Sequence, residues 1–275
     1  MTVSDQEPLK WLPVLMYHRI VDRVEGPDPH RLKIATADFD AQMAYLKARG
    51  YQAIPLDAVP AAVGEKSQLK KPVAITFDDG YVDTYTHALP VLKKHGFTAT
   101  IMLVSDYIGG RNDWDHGRED SMPLLSTGEI RELAQDGIRF GSHGATHESL
   151  PDMSIDDVRS ELAGSKAKLE QLLGYEIKAL AYPYGRCSPD VCRIAEEVGY
   201  RAGFGVDHGS HAMFNFSRID AASCKGDTLL WRLKVSGVYD TLRQRGSLRR
   251  LNNLRKRMAN GPTYSLNQPI ATSST

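Results

Sequence analysis

The apolar residues of the chain repeat one arrangement: a helical spacing, then a glycine, then a short unbroken apolar run. Phe39, Met43 and Leu46 share one helix face, and Gly50 precedes Tyr51-Gln52-Ala53-Ile54. A second helix is predicted through His87-Ala88-Leu89-Pro90-Val91-Leu92, before Gly96 and the strand-like Thr98–Val104. Ser126 and Glu129 have the spacing of a capping box ahead of Ile130 and Leu133, and Gly137 then leads into Ile138-Arg139-Phe140. Ser154 and Asp157 open a helix through Val158, Leu162, Leu169 and Leu172, which Gly174 ends before Ile177-Lys178-Ala179-Leu180-Ala181. Ser188 and Pro189 are N-cap and first-turn residues for Val191, Ile194 and Val198, closed by Gly199. Each glycine is placed to end its helix in the left-handed conformation.

Strands that alternate with helices argue for a parallel sheet, either closed as a barrel or open and doubly wound. Five such units, with Val14-Leu15-Met16-Tyr17 and Pro72–Phe77, make about seven strands. The expected fold class is α/β, a distorted (β/α) barrel of about seven parallel strands. The stretch Arg111–Met122 is polar and is expected to form a long loop between a strand and a helix.

Composition narrows the function classes only modestly. The 275 residues are 41% hydrophobic and 25% charged, which suits a globular domain and excludes disorder throughout. Lys and Arg number 34, as do Asp and Glu, so a globally basic nucleic-acid binder is not expected. Three cysteines, Cys187, Cys192 and Cys224, cannot build a disulfide framework. The first residues show neither a basic segment nor an apolar one, and the expected location is cytoplasmic.

Parallel α/β folds place their chemistry where strands end. Thr76-Phe77-Asp78-Asp79-Gly80-Tyr81 sets two carboxylates directly after an apolar run. At a strand end both can reach one cavity, one holding a cation and the other free as a base; a turn with helix-capping Asp residues is the alternative. Ser142-His143-Gly144-Ala145-Thr146-His147 spaces two imidazoles so that they can converge on one metal ion. Tyr182-Pro183-Tyr184-Gly185 is an aromatic turn able to wall a pocket and aim a backbone N–H inward, and Met16-Tyr17-His18-Arg19 offers an acid/base histidine or a packing one. One carboxylate and two imidazoles suit Zn²⁺, with Co²⁺, Ni²⁺ and Fe²⁺ also admitted. A metal-activated water beside a free Asp is a hydrolytic arrangement.

In this order the motifs resemble the polysaccharide deacetylase (NodB-homology) family of metal-dependent carbohydrate esterases, over about residues 12 to 220. Val14-Leu15-Met16-Tyr17-His18, followed by Phe39 to Gly50-Tyr51, is similar to the poly-N-acetylglucosamine deacetylase branch. The resemblance implies Asp78 as general base, His18 as general acid, and Asp79, His143 and His147 as metal ligands. It implies the Tyr184 backbone N–H as oxyanion donor, with Tyr17, Tyr81, Tyr182 and Pro183 as substrate contacts. Many members carry an Arg shortly before the Pro-aromatic turn; Ala179-Leu180-Ala181-Tyr182 has none, and Arg218 is the expected replacement. A late Leu-x-His is also absent, and Leu230-Trp231-Arg232-Leu233 stands near its place.

The expected activity is removal of an N-acetyl or N-formyl group from an amino sugar in a saccharide or glycolipid, with no nucleic-acid partner. The expected organisation is a loose segment at 1–10, a catalytic domain at 11–240, a basic amphipathic helix at 241–259 and a disordered tail at 260–275. Leu248, Leu251, Leu254 and Met258 give that helix an apolar stripe among seven basic residues between Arg243 and Arg257. Such a helix packs on the barrel or lies on an anionic membrane surface through 243–258. Readings of lower weight are a Cys187/Cys192 thiolate site, a two-His-one-carboxylate iron oxygenase on an all-β scaffold, and a sugar-binding pseudoenzyme on the same fold.

Overall fold

The computed structural model describes residues 11–64, 69–115, 120–206, 211–224 and 228–244. The segment 1–10, the tail 260–275 and the basic helix beyond residue 244 lie outside the described residues. In chain order come β1 (Val14–Tyr17), β2 (Arg19–Val21), β3 (Lys33–Ala35), α1 (Thr36–Ala48), β4 (Gln52–Ala53), α2 (Val59–Gly64) and β5 (Pro72–Phe77). Then follow α3 (Leu89–His95), β6 (Thr100–Leu103), α4 (Thr127–Gln135), β7 (Arg139–Ser142), α5 (Ile155–Leu173), β8 (Ala179–Ala181), α6 (Pro189–Val198) and β9 (Ala202–Gly205). The described chain ends with β10 (His211–Ala212), β11 (Asn215–Ser217), β12 (Ile219–Asp220), α7 (Thr228–Val235) and α8 (Val238–Gln244). No helix among the described residues is long and apolar enough to cross a membrane.

Local signals in the sequence set the helix ends. Ser126 Oγ accepts from the Glu129 N–H while Glu129 accepts from the Ser126 N–H, the reciprocal pair that starts α4. Ser154 and Ser188 cap α5 and α6, and Gly174 and Gly199 end them in left-handed conformations. The predicted helix at 87–92 begins instead as a wide π-type turn over Thr84–Ala88, and the regular helix starts at Leu89. Pro90 is the cause: it has no N–H to donate, and its ring would clash with the carbonyl four residues earlier.

One parallel sheet runs β11-β9-β8-β7-β6-β5-β1-β12, with β10 antiparallel on the outer side of β11. Only Arg218 separates β11 from β12. Ser217 pairs with Gly205 of β9, and Ile219 pairs with Leu15 of β1. A single passing segment therefore joins both ends of the sheet and closes it into a distorted (β/α) barrel, seven passes of chain in eight strand segments. The seventh stave is this segment and not β4, as the sequence had suggested. β4 pairs with Pro72 and Val73 at the start of β5 and lies off the barrel path.

Alternation along the staves decides what faces the barrel's interior. Val14, Ala74, Met102, Ala179, Ala181, Ala202, Phe204 and Phe216 form the inner cluster, closed below by Ile54, Leu56 and Val59. Leu15, Tyr17, Val73, Ile75, Phe77, Leu180 and Tyr182 take the opposite parity and pack against the surrounding helices. Continued by two residues at a time, the inward parity reaches His18, Asp78 and Arg218. Gly203 shows how tightly the outer layer fits, since a Cβ there would lie 2.6 Å from Tyr182 Cζ. Gly203→Ala should destabilise the fold by about 1–3 kcal/mol through overpacking, read as a lowered urea midpoint at constant slope; an unchanged midpoint would show slack in that layer.

Candidate metal centre and active site

The inward residues at the carboxyl ends of the strands open into a cavity of about 360 Å³, lined by Met16, His18, Asp78, Asp79, His143, His147 and Tyr184 among others. Asp78 leaves β5 in the inward parity and donates its N–H to the Tyr17 carbonyl at 2.9 Å. Asp79 and Gly80 then adopt successive left-handed conformations, φ 73° and 79°. This reversal lets two adjacent carboxylates face one cavity, which regular strand alternation would forbid. Glycine is required at 80 by its φ and by packing, because a Cβ would lie 2.8 Å from Leu103 Cδ2.

Arg218 grips Asp78 in a bidentate ion pair, Nη1 to Oδ1 at 2.6 Å and Nη2 to Oδ2 at 2.7 Å. The same guanidinium donates to Thr76 Oγ1 and the Gly205 carbonyl, each at 3.3 Å. Burial alone pushes the Asp78 carboxyl up, but the charges of Arg218 and His143 outweigh it and hold Asp78 below the usual carboxylate range.

Asp79 faces the two histidines. Its Oδ1 lies 3.4 Å from His143 Nε2 and 3.3 Å from His147 Nε2, and is buried with no hydrogen-bond partner. Burial works against its ionisation, yet His147, His18 and His143 together hold its carboxyl well below the usual range. His143 Nδ1 bonds the Ala181 carbonyl at 2.8 Å. A carbonyl only accepts, so the proton sits on Nδ1 and the Nε2 lone pair points at Asp79. Burial is also the largest cause of the fall in the His143 pKa, to about 4, so this imidazole is neutral near pH 7.

These ligand atoms fit a divalent ion. All lie within 4.8 Å of one another. Two bonds of about 2.1 Å at a tetrahedral angle end about 3.4 Å apart, close to the spacings seen. The orphaned Asp79 oxygen supplies the charge that such an ion would meet.

His147 takes a left-handed conformation, φ 66°. Its ring stacks on Trp114 at 4.7 Å and meets the edge of Tyr184 at 4.8 Å. His18 is half-buried on the same cavity, and its Nδ1 is buried without a partner. The Tyr184 ring is half exposed, on a residue with φ 57°. Among the described residues four non-glycines have positive φ: Arg31, Asp79, His147 and Tyr184. All four line this cavity. Residues held in such conformations cluster where surrounding structure over-determines them for function.

The structure thus brings Asp78, Asp79, His143, His147, His18, Tyr184 and Arg218 together. It does not bring the other expected substrate contacts to the cavity. Tyr17 and Tyr182 fall on the outward parity, where Tyr17 donates to Gln42 and packs on Phe39 and Phe77, and Tyr182 donates to the Phe214 carbonyl. Tyr81 is buried beneath the Arg19 guanidinium, and Pro183 is buried behind Gly144. Trp114 and Arg31 were not foreseen. A lone tryptophan in the polar stretch 111–122 was the available signal for Trp114; nothing in the sequence marked Arg31. No cysteine joins a cluster of three metal-ligating groups among the described residues. The parallel sheet is also unlike the all-β scaffold on which the oxygenase reading rested.

Residues 65–203 match the family described as polysaccharide deacetylase. YxkH of Bacillus subtilis, which carries the same family name, is 34% identical over 209 residues, 76% of this chain and 68% of its own. The poly-β-1,6-N-acetyl-D-glucosamine N-deacetylase of Staphylococcus epidermidis is 28% identical over 182 residues, 62% of this chain; the match spans 60% of that enzyme's length. Among solved structures, the Streptococcus pyogenes deacetylase PplD in complex with acetate superposes with a TM-score of 0.67 at 29% identity, covering 78% of this chain and 93% of that one.

Burial of His143 gives the site a pH signature. Folded His143 stays neutral down to about pH 4, whereas the unfolded imidazole takes a proton below its ordinary value of 6.5. Its share of stability is therefore present above pH 6.5 and lost on acidification through that window, with a slope of up to about 1.4 kcal/mol per pH unit. Urea unfolding of metal-free wild-type and His143→Gln chains should show the wild type losing stability faster on acidification between pH 6.5 and 4; parallel curves would contradict the neutral assignment.

Proposed function

The chain belongs to the polysaccharide deacetylase family, and on that premise we propose that it hydrolyses the N-acetyl amide of an amino sugar within a saccharide. The observation that carries the reading is the convergence of Asp79, His143 and His147 beside a second carboxylate, Asp78, that Arg218 holds apart from them. The S. epidermidis relative is named for a polymer of N-acetylglucosamine, which supports that sugar as the substrate class. The acetate bound in PplD supports acetyl, ahead of formyl, as the group released.

A divalent ion held by Asp79, His143 and His147, Zn²⁺ by the chemistry of its donors, would supply Lewis acidity to water and to the acyl oxygen. The chain's own residues do the rest. Asp78 takes a proton from the attacking water as the water oxygen bonds to the acyl carbon. Arg218 keeps that carboxylate ionised before attack and fixes the direction of its lone pairs. The Tyr184 backbone N–H donates to the developing oxyanion. As the carbon–nitrogen bond breaks, His18 delivers a proton to the departing nitrogen, which leaves as the free amine. The acyl group leaves as the carboxylic acid, Asp78 passes its proton to solvent, and His18 takes one back from solvent.

Acetate release from β-1,6-linked N-acetylglucosamine oligomers should stop with a chelator and return with Zn²⁺. Asp78→Asn should keep stoichiometric metal and lose about 10²–10⁴ in kcat, whereas His143→Ala should lose both metal and turnover. Turnover that survives chelation, or full activity in Asp78→Asn, would contradict the proposal.

A further inference from the structure

The loop carrying the two histidines is held from behind by α5. Glu161 and Ser165 sit one turn apart on its buried face, 7% and 0% exposed. Glu161 Oε1 accepts the N–H of Ala145 and that of Thr146, each at 2.7 Å, and the Thr146 hydroxyl at 3.1 Å. Ser165 donates to the Gly144 carbonyl at 2.9 Å and shares a 2.8 Å hydrogen bond with Ser142 Oγ. Ser142 Oγ in turn accepts the Gly144 N–H at 3.2 Å. The N–H groups of all three residues between His143 and His147 are thus taken by two side chains, and Glu161 holds two of them.

Packing alone gives no reason for a carboxylate at this depth, where a polar group is costly unless bonded. Its shape is matched to the loop. Gly144 is left-handed, φ 81°, and a Cβ there would lie 2.9 Å from Glu161 Oε1. At the other end His147 is also left-handed, a conformation that persists only where its surroundings impose it. The Ala145 and Thr146 peptides that Glu161 holds are those that deliver His147 into that conformation. Trp114 and Tyr184 hold the ring itself.

We infer that Glu161 is a positioning residue of the metal centre: through the backbone of 145 and 146 it sets the separation and direction of the His143 and His147 imidazoles. It touches neither imidazole. The inference rests on the reading of Asp79, His143 and His147 as metal ligands.

The test is the Zn²⁺ dissociation constant, measured by competition with a chromophoric chelator, together with the visible absorption of bound Co²⁺. Glu161→Ala removes the acceptor, and Glu161→Asp keeps the charge but withdraws it from the two N–H groups. Each should weaken Zn²⁺ binding about 10- to 100-fold, the range for partners that orient metal ligands, and Glu161→Gln, which keeps an acceptor oxygen, should recover most of the affinity. The Co²⁺ spectrum should change in the Asp variant. Leu169→Val weakens the packing of the same helix two turns away and should leave both readouts as in the wild type. If Glu161→Ala does not fold, the Asp variant decides. Wild-type affinity in the variants that fold, or an equal loss in Leu169→Val, would overturn the inference. Failure of the wild-type chain to bind Zn²⁺ would overturn the metal-site reading beneath it.

Discussion

A buried arginine and a buried aspartate meet where the barrel closes, and most of what the site can do depends on that pair. Arg218 is the residue at which one passing segment changes partner from β9 to β1, so its side chain necessarily faces the barrel's mouth. There it meets Asp78 in two hydrogen bonds. Taking both charges out of water is expensive, and an apolar pair of similar size would close a barrel at least as well. Losing one partner would strand the other, at about 3–5 kcal/mol. The pair makes sense as a device for keeping a carboxylate ionised and oriented in a place where burial would otherwise protonate it.

Around that pair the site divides its labour through backbone geometry. The left-handed turn at Asp79 and Gly80 separates two neighbouring carboxylates into different environments. One is paired with a guanidinium, and the other is turned toward two imidazoles. The Ala181 carbonyl fixes the proton of His143 on the far nitrogen, and the loop after β7 is fastened to α5 so that His147 can be left-handed. Four non-glycine residues with positive φ on one cavity wall are the cost of aiming so many side chains at one place. The surrounding helices, of which α4, α5 and α6 carry serine caps, pack densely and supply the rigidity that keeps them there.

Much of this was legible in the sequence because its causes are local. Serine caps, terminal glycines and the polar residues that break apolar runs act within a few residues of themselves. They located α1, α3, α4, α5 and α6, six of the seven staves and the cluster of Asp79, His143 and His147. What was not legible depends on contacts distant in the chain or on parity. Tyr17 and His18 are adjacent, and only the register of β1 in the barrel sends one to the core and the other to the cavity. The same holds for Tyr182. β4 looked as much like a stave as β9 did; a short apolar run does not reveal which strand it will pair with. A missing residue elsewhere points to Arg218, but its grip on Asp78 spans 140 positions of chain. Glu161 lies on an element whose local pattern says only helix, and for Trp114 the one local signal is an aromatic in a polar loop.

Arg218 keeps Asp78 ionised inside the barrel. The most direct test of this role is the pH titration of the Asp78 side-chain carboxyl carbon by NMR, in the metal-free chain and in Arg218→Lys. The wild-type carboxyl should titrate below the ordinary value of 3.8, and its pKa should rise once lysine replaces the bidentate partner. A wild-type carboxyl that titrates at or above the ordinary value, or one indifferent to the replacement, would contradict that role.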